Sequence, residues 1–141
     1  MPGSYFFTAL GRWNDFSSRA RRAEFWGFVV VALLLEMFAL AITAIVLNSA
    51  IDSENMTIDT DAVTLVGWIC LAVTFALWLV LIFPMISVTM RRMHDLGRSG
   101  GWAIFLIVLP LVVWIMALFD GQPITNKYGP DPKGRGIATA A

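Results

Sequence analysis

The chain is poor in the residues that build catalytic and metal centres. It has one cysteine, Cys70, and one histidine, His94. A lone cysteine excludes an intramolecular disulfide framework. A zinc site needs three or four ligands, and no such set accompanies His94, so no metal is expected. The glycines near Gly100 match neither a Walker loop nor a dinucleotide fingerprint, so no cofactor is expected either. Ser99 has no base positioned beside it and reads as a turn residue or helix cap. Charge is scarce too: 14% of residues are charged and 58% hydrophobic, against about 25% and about 45–50% in globular domains. The net charge is zero, which disfavours nucleic acid as a partner.

What is abundant is long apolar sequence. Three runs, Phe25–Leu47, Val63–Val88 and Gly101–Phe119, are separated by short polar connections. A soluble chain this short could not enclose three such helices, whereas a bilayer core calls for helices of about 20 residues. The expected fold is an all-α integral membrane protein with three transmembrane helices preceded by an interfacial amphipathic helix. Residues 1–24 form the cytoplasmic interfacial segment, 25–119 the transmembrane domain with spans at about 25–47, 63–88 and 101–119, and 120–141 a Gly/Pro-rich tail. Within the first segment Tyr5, Phe6, Ala9, Leu10, Trp13 and Phe16 recur at helical spacing and predict an apolar face in the acyl boundary. Pro84 bends the second helix, which continues through Met85–Met93 into the cytoplasm. A cleaved signal peptide is not expected, since the first apolar run begins after residue 24 and exceeds a typical leader core.

The basic residues set the orientation. Arg12, Arg19, Arg21 and Arg22 precede the first run, and Arg91, Arg92 and Arg98 follow the second. The connection from Asn48 to Ala62 holds Asp52, Glu54, Asp59 and Asp61 and no Lys or Arg. The N-terminus is therefore predicted on the cytoplasmic side and the acidic connection outside. Asn55-Met56-Thr57 matches a glycosylation acceptor there, a triplet common by chance. Three full spans would leave Lys127, Lys133 and Arg135 outside, against the rule. The competing reading is a third segment that re-enters on the side it left, broken by Pro110. The full span is favoured, because the first helix and the short Arg-rich connection carry the stronger bias.

Six arginines, Arg19, Arg21, Arg22, Arg91, Arg92 and Arg98, are the candidate lipid- or partner-binding residues, a basic layer whose forks match phosphate oxygens. Internal salt bridges of Arg22, Arg91 or Arg92 with Glu24 or Asp95 compete with that reading. Glu24, Glu36, His94, Asp95, Asn126 and Asp131 are the candidate structural or intramembrane polar residues. Glu36 stands mid-span, where an ionised carboxylate is costly. It shares a helical face with Ala32, Ala39 and Thr43, and a hydrogen bond to Thr74 or Thr64 of the second span is expected.

Three blocks carry a family resemblance. Phe16-Ser17-Ser18-Arg19-Ala20-Arg21-Arg22-Ala23-Glu24-Phe25-Trp26 leads into the first span, with Ser18 where glycine is usual. Arg91-Arg92-Met93-His94-Asp95-Leu96-Gly97-Arg98-Ser99-Gly100 follows the second, and Asn126-Lys127-Tyr128-Gly129-Pro130-Asp131-Pro132 lies in the tail. In order and spacing these blocks resemble the DUF805 family of small bacterial inner-membrane proteins, the YhaH-like proteins. The resemblance implies a helical membrane fold and location in the bacterial inner membrane as a multi-pass protein. It brings no established activity. It suggests roles for the loop and tail blocks, which a re-entrant third segment would bring together at His94, Asp95, Asn126 and Asp131.

The leading expectation is a non-enzymatic membrane component that associates with a protein partner, itself or anionic lipid through its basic cytoplasmic face. Two alternatives stand beside it: a phosphate- or lipid-directed enzyme using His94 and Asp95, and a small carrier centred on Glu36. Expected partners are membrane lipids and a second copy or another membrane protein, and no catalytic residue is assigned.

Overall fold

The computed structural model describes residues 2–48, 51–52, 57–58 and 63–135, and the chain is largely helical. Helix α1 is Pro2–Gly11, α2 is Arg22–Leu47 and α3 is Leu65–Asp95. Between α2 and α3, Ile51–Asp52 and Thr57–Ile58 pair as two short antiparallel strands. Glu54, Asp59 and Asp61, and Asn55 and Met56 of the glycosylation triplet, lie outside the described residues. At 1.5 Å per residue, α2 and α3 reach about 39 and about 46 Å, longer than a hydrocarbon core of about 30 Å. Both are long and apolar enough to cross a membrane. Their large apolar side chains, among them Leu34, Met37, Phe38, Ile45, Val66, Val73 and Val80, are exposed. That is the opposite of the core helices of a soluble domain. Helix α3 passes through Pro84 and runs on to Asp95, as expected for a helix that outlasts its apolar run.

The third apolar segment, read above as the span 101–119, is not one continuous helix. A 3-10 turn, Gly100–Ile104, leads into α4, Phe105–Val108; after a break at Leu109 comes α5, Pro110–Leu118. Leu109 has φ −153° and ψ 71°, because a residue before proline is pushed out of the helical region. Pro110 then takes the first position of α5, where its missing N–H costs nothing. Nine residues of α5 span only about 14 Å.

Contacts group the chain into two units, one of Met1–Val31 with Ile82–Ala141, the other Ala32–Leu81. In the second unit, α2 and α3 meet over small residues: a Cβ on Gly67 would lie 2.9 Å from Leu47 Cδ2. Thr43 and Thr74 share a hydrogen bond of 2.9 Å between their hydroxyls, and Thr43 also donates to the Ala39 carbonyl. Glu36, expected to bond Thr74 or Thr64, does neither. Thr74 is taken by Thr43, Thr64 accepts from the Gly67 N–H at 3.3 Å, and Glu36 Oε1 is buried with no partner.

In the first unit α1 is shorter than its apolar stripe suggests. It ends at Gly11, so Trp13 and Phe16 fall in the following turn. Phe6 and Ala9 pack inward, with Phe6 stacked on Phe28 at 5.4 Å, while Phe7, Trp13 and Phe16 are exposed. Ser87 ties down the turn by donating to the carbonyls of Arg12 and Asp15, 2.8 Å each.

Candidate functional site

The end of α3 builds a buried polar cluster in the first unit. Helical spacing puts Arg92 and Asp95 on one face, and Asp95 becomes the centre. Its Oδ1 accepts from Arg19 Nε at 3.0 Å, with Arg19 Nη2 in ion-pair contact at 2.9 Å; its Oδ2 accepts from Arg92 Nη1 at 2.5 Å. Arg91 Nη1 donates to Glu24 Oε1. Arg91 and Arg92 are wholly shielded from solvent, and Arg19, Glu24 and Asp95 are buried with them. Charges at such depth persist only when paired and hydrogen-bonded.

Backbone carbonyls, those of the tail in the case of Arg19, add to the shells of Arg19 and Arg92. Arg19 also donates to Gln122 O at 2.5 Å, Ile124 O at 2.7 Å and Gly129 O at 3.2 Å. Arg92 also donates to Ala20 O at 3.4 Å, Ala117 O at 3.2 Å and Phe119 O. The tail backbone lies directly on Asp95: Gln122 N donates to Asp95 O at 2.9 Å. A Cβ on Gly121 would sit 1.9 Å from Asp95 Oδ2, so only glycine fits. Asn126 Nδ2 donates to the His94 carbonyl at 3.0 Å and to Gln122 Oε1 at 2.9 Å. The Tyr128 ring stacks on the His94 ring at 3.6 Å, and His94 Nδ1 lies 3.2 Å from Ser18 O. Both ends of the third apolar segment therefore meet the last turns of α3. Gly100 abuts Met90 and His94 at one end; Ala117 and Phe119 cap Arg92 at the other.

A more exposed set of charges fastens the tail to itself, and another organises the turn after α1. Lys133 Nζ donates to Asp120 at 2.5 Å, and Arg135 bridges Asp120 at 3.0 Å and Asp131 at 2.8 Å. The Lys133 hydrogen bond, against a small burial penalty, holds Asp120 down at about 2. The Arg135 hydrogen bond, again against burial and with the N–H groups of Lys133 and Arg135 assisting, holds Asp131 well below the usual carboxylate range. At Asp15 burial pushes upward. It is outweighed by hydrogen bonds from the Ser18 hydroxyl and N–H, the Ser17 N–H and Arg12, which leave Asp15 well below that range.

The six arginines expected on one basic face thus divide. Arg19, Arg91 and Arg92 lie inside, because Glu24, Asp95 and tail carbonyls supply partners that an apolar interior otherwise lacks. Arg21, Arg22 and Arg98 are exposed. Arg21 Nε donates to Pro132 O at 2.6 Å, Arg22 reaches Leu118 O at 3.2 Å, and Arg98 lies 5.8 Å from the Trp102 ring centroid. His94, Asp95, Asn126 and Asp131 come into one unit, whereas Glu36 belongs to the other. Both Asp95 oxygens are held by guanidinium groups, so neither is free to act as a base. Among the described residues no cluster of three potential metal ligands occurs. Sequence reading passed over Ser87, Gly121 and Asp120. The one signal for Ser87 was a hydroxyl inside an apolar run.

Comparison with known proteins converges on one family. The family model described as "Protein of unknown function (DUF805)" matches residues 13–130. Inner membrane protein YhaI of Escherichia coli K12 is 29% identical over 134 residues, covering 92% of this chain and 95% of its own. Inner membrane protein YhaH of the same strain is 30% identical over 134 residues, covering 92% and 96%. Uncharacterized protein YiiR, also from that strain, is 30% identical over 147 residues, covering 83% and 85%. No solved structure matches the chain.

Proposed function

The chain belongs to the DUF805 family, and from that premise we propose a multi-pass, non-enzymatic component of the inner membrane that meets an anionic partner, lipid headgroups foremost, through a basic cytoplasmic rim. All ten Lys and Arg residues fall in the unit Met1–Val31 with Ile82–Ala141, alongside five of the ten acidic residues. The unit Ala32–Leu81 carries the other five acids and no base. By the positive-inside rule the first unit faces the cytoplasm. Helix α2 then crosses outward and α3 returns. The third segment dips into the cytoplasmic leaflet and comes back, which accounts for its two ends meeting α3 and for the basic tail. The exposed rings of Phe7, Trp13 and Phe16 suit α1 and its turn to the same interface.

The observation that carries the reading is the charge left over after internal pairing. Arg21, Arg98 and Lys127 are exposed and have no carboxylate partner among the described residues. Each basic residue at an anionic membrane surface contributes about 1 kcal/mol. In nanodiscs of graded phosphatidylglycerol content, the Arg21→Glu/Arg98→Glu chain should hold anionic lipid at least about tenfold more weakly. The wild-type preference should fade with salt. Equal, salt-insensitive lipid profiles for the two chains would reject the rim.

A further inference from the structure

Within the helical parts of the second unit, from Ala32 to Leu47 and from Leu65 to Leu81, Glu36 is the only acidic or basic residue. It stands about 21 Å along the axis from Arg22 and about 17 Å from Leu47, the two ends of α2. A glutamate side chain is too short to reach either surface of the hydrocarbon from there. The carboxyl makes no hydrogen bond or ion pair among the described residues. Its Oε1 is enclosed, whereas Oε2 stays open at the surface of the hairpin. The hydroxyls of Thr43 and Thr74 are already bonded to each other. An unmatched carboxyl at this depth is costly.

Glu36 sits at the margin of the α2 face turned to α3, with Ala32, Ala39 and Thr43 on its inner side. On its outer side are Leu33, Leu40 and Ala44, all exposed. Leu33, Glu36, Leu40 and Ala44 follow one another in steps of three and four residues. That spacing makes one stripe down the helix, the pattern by which helices seat against each other. An acyl chain brings no hydrogen-bond donor to the open edge. A buried water needs about 2–4 polar partners. A metal ion needs several ligands, and no cluster of three occurs among the described residues. A second copy inserted in the same orientation brings its own Glu36 to the same depth, and a two-fold axis sets like surfaces against each other. A neutral carboxyl has one O–H donor and an acceptor oxygen. Two of them satisfy each other once the soft terminal torsion turns both oxygens to the open edge.

We propose that a second copy of this chain docks on the α2 stripe of Leu33, Leu40 and Ala44, with the two Glu36 carboxyls hydrogen-bonded across the two-fold axis. This interface lies in the hydrocarbon and is independent of the basic rim.

The full chain in phosphatidylcholine vesicles, at high lipid excess, tests the interface. In a Cys70→Ser background, Leu40→Cys should form a disulfide between copies under copper phenanthroline. Phe38→Cys should not, because Phe38 is exposed on the opposite side of α2. Equal crosslinking at the two positions, or none at Leu40→Cys, overturns the stripe. Association is then followed by energy transfer between labelled copies over a series of lipid dilutions. Glu36→Leu, which makes the span more apolar and leaves insertion intact, should weaken association by about tenfold. Glu36→Gln keeps a donor and an acceptor and should stay within about threefold of wild type. Association that Glu36→Leu leaves unchanged overturns the carboxyl pair. A pure chain that stays monomeric, while Leu40→Cys crosslinks to a different protein in native membranes, assigns the edge to that protein and overturns the second copy. Arg21→Glu/Arg98→Glu should associate as the wild type does, so a failure of the rim and a failure of this interface are read separately.

Discussion

Asp95 is where two arginines and the tail converge. Removing its charge leaves the buried Arg19 and Arg92 without a carboxylate, and breaking one side of a buried pair costs about 3–5 kcal/mol. Asp95→Asn should therefore lower the unfolding free energy of the solubilised chain by about that amount, read from denaturant titration of tryptophan emission. Gly121→Ala tests the same contact from the tail, because the new Cβ would collide with Asp95 Oδ2. That substitution should release the tail and speed trypsin cleavage after Lys127. Wild-type stability in the first variant and wild-type cleavage in the second would remove Asp95 from this role. The pairing of Asp95 with an arginine was legible from residue types alone. The choice of Arg19 was not, since the two stand 76 positions apart.

Among the elements, the third apolar segment departs furthest from its appearance in one dimension. Its length suggested a span; Pro110 and the basic tail suggested a return. The return is the proposed reading, supported by Leu109 leaving the helix and by Arg92 donating to the Ala117 and Phe119 carbonyls beside the end of α3. Thr125 is exposed in the tail and reports the side directly. In a Cys70→Ser background, Thr125→Cys should react with a membrane-impermeant maleimide in inverted vesicles and stay unlabelled in intact spheroplasts. Labelling of spheroplasts would mean that the segment crosses the membrane. Helices α2 and α3 were legible because uninterrupted apolar length is sufficient for a membrane helix. The end of α1 at Gly11 was not, because Asp15 and Ser87 organise the following turn through contacts that no periodicity displays.

For the whole molecule, acid should loosen the tail before it affects the spans. Asp120 is held at about 2 by Lys133, and Asp131 is also depressed by Arg135. An unfolded aspartate titrates near about 3.9. A depressed carboxylate contributes stability that is complete above its unfolded value and lost as pH falls toward its folded value. Tail docking should thus be intact above about pH 4 and weaken toward about pH 2. Pepsin cleavage around Leu118 and Phe119, normalised to a control peptide at each pH, should rise across that window. A flat normalised profile would show that these carboxylates do not fasten the tail.

Membrane residence, two helices long and apolar enough to cross a membrane, the segregation of every Lys and Arg from the acidic connection, and the family blocks were all determined by sequence. Each is a property of local composition, which hydrocarbon thickness and surface charge convert into topology without any distant contact. The tertiary structure decided which arginines are buried, which carboxylates they meet, and that the third segment closes back on α3. Those outcomes rest on pairs such as Arg19 with Gly129, separated by 110 positions, and Arg91 with Glu24, separated by 67. A buried guanidinium takes whatever acceptors the folded chain brings to it, and linear spacing does not encode which those are.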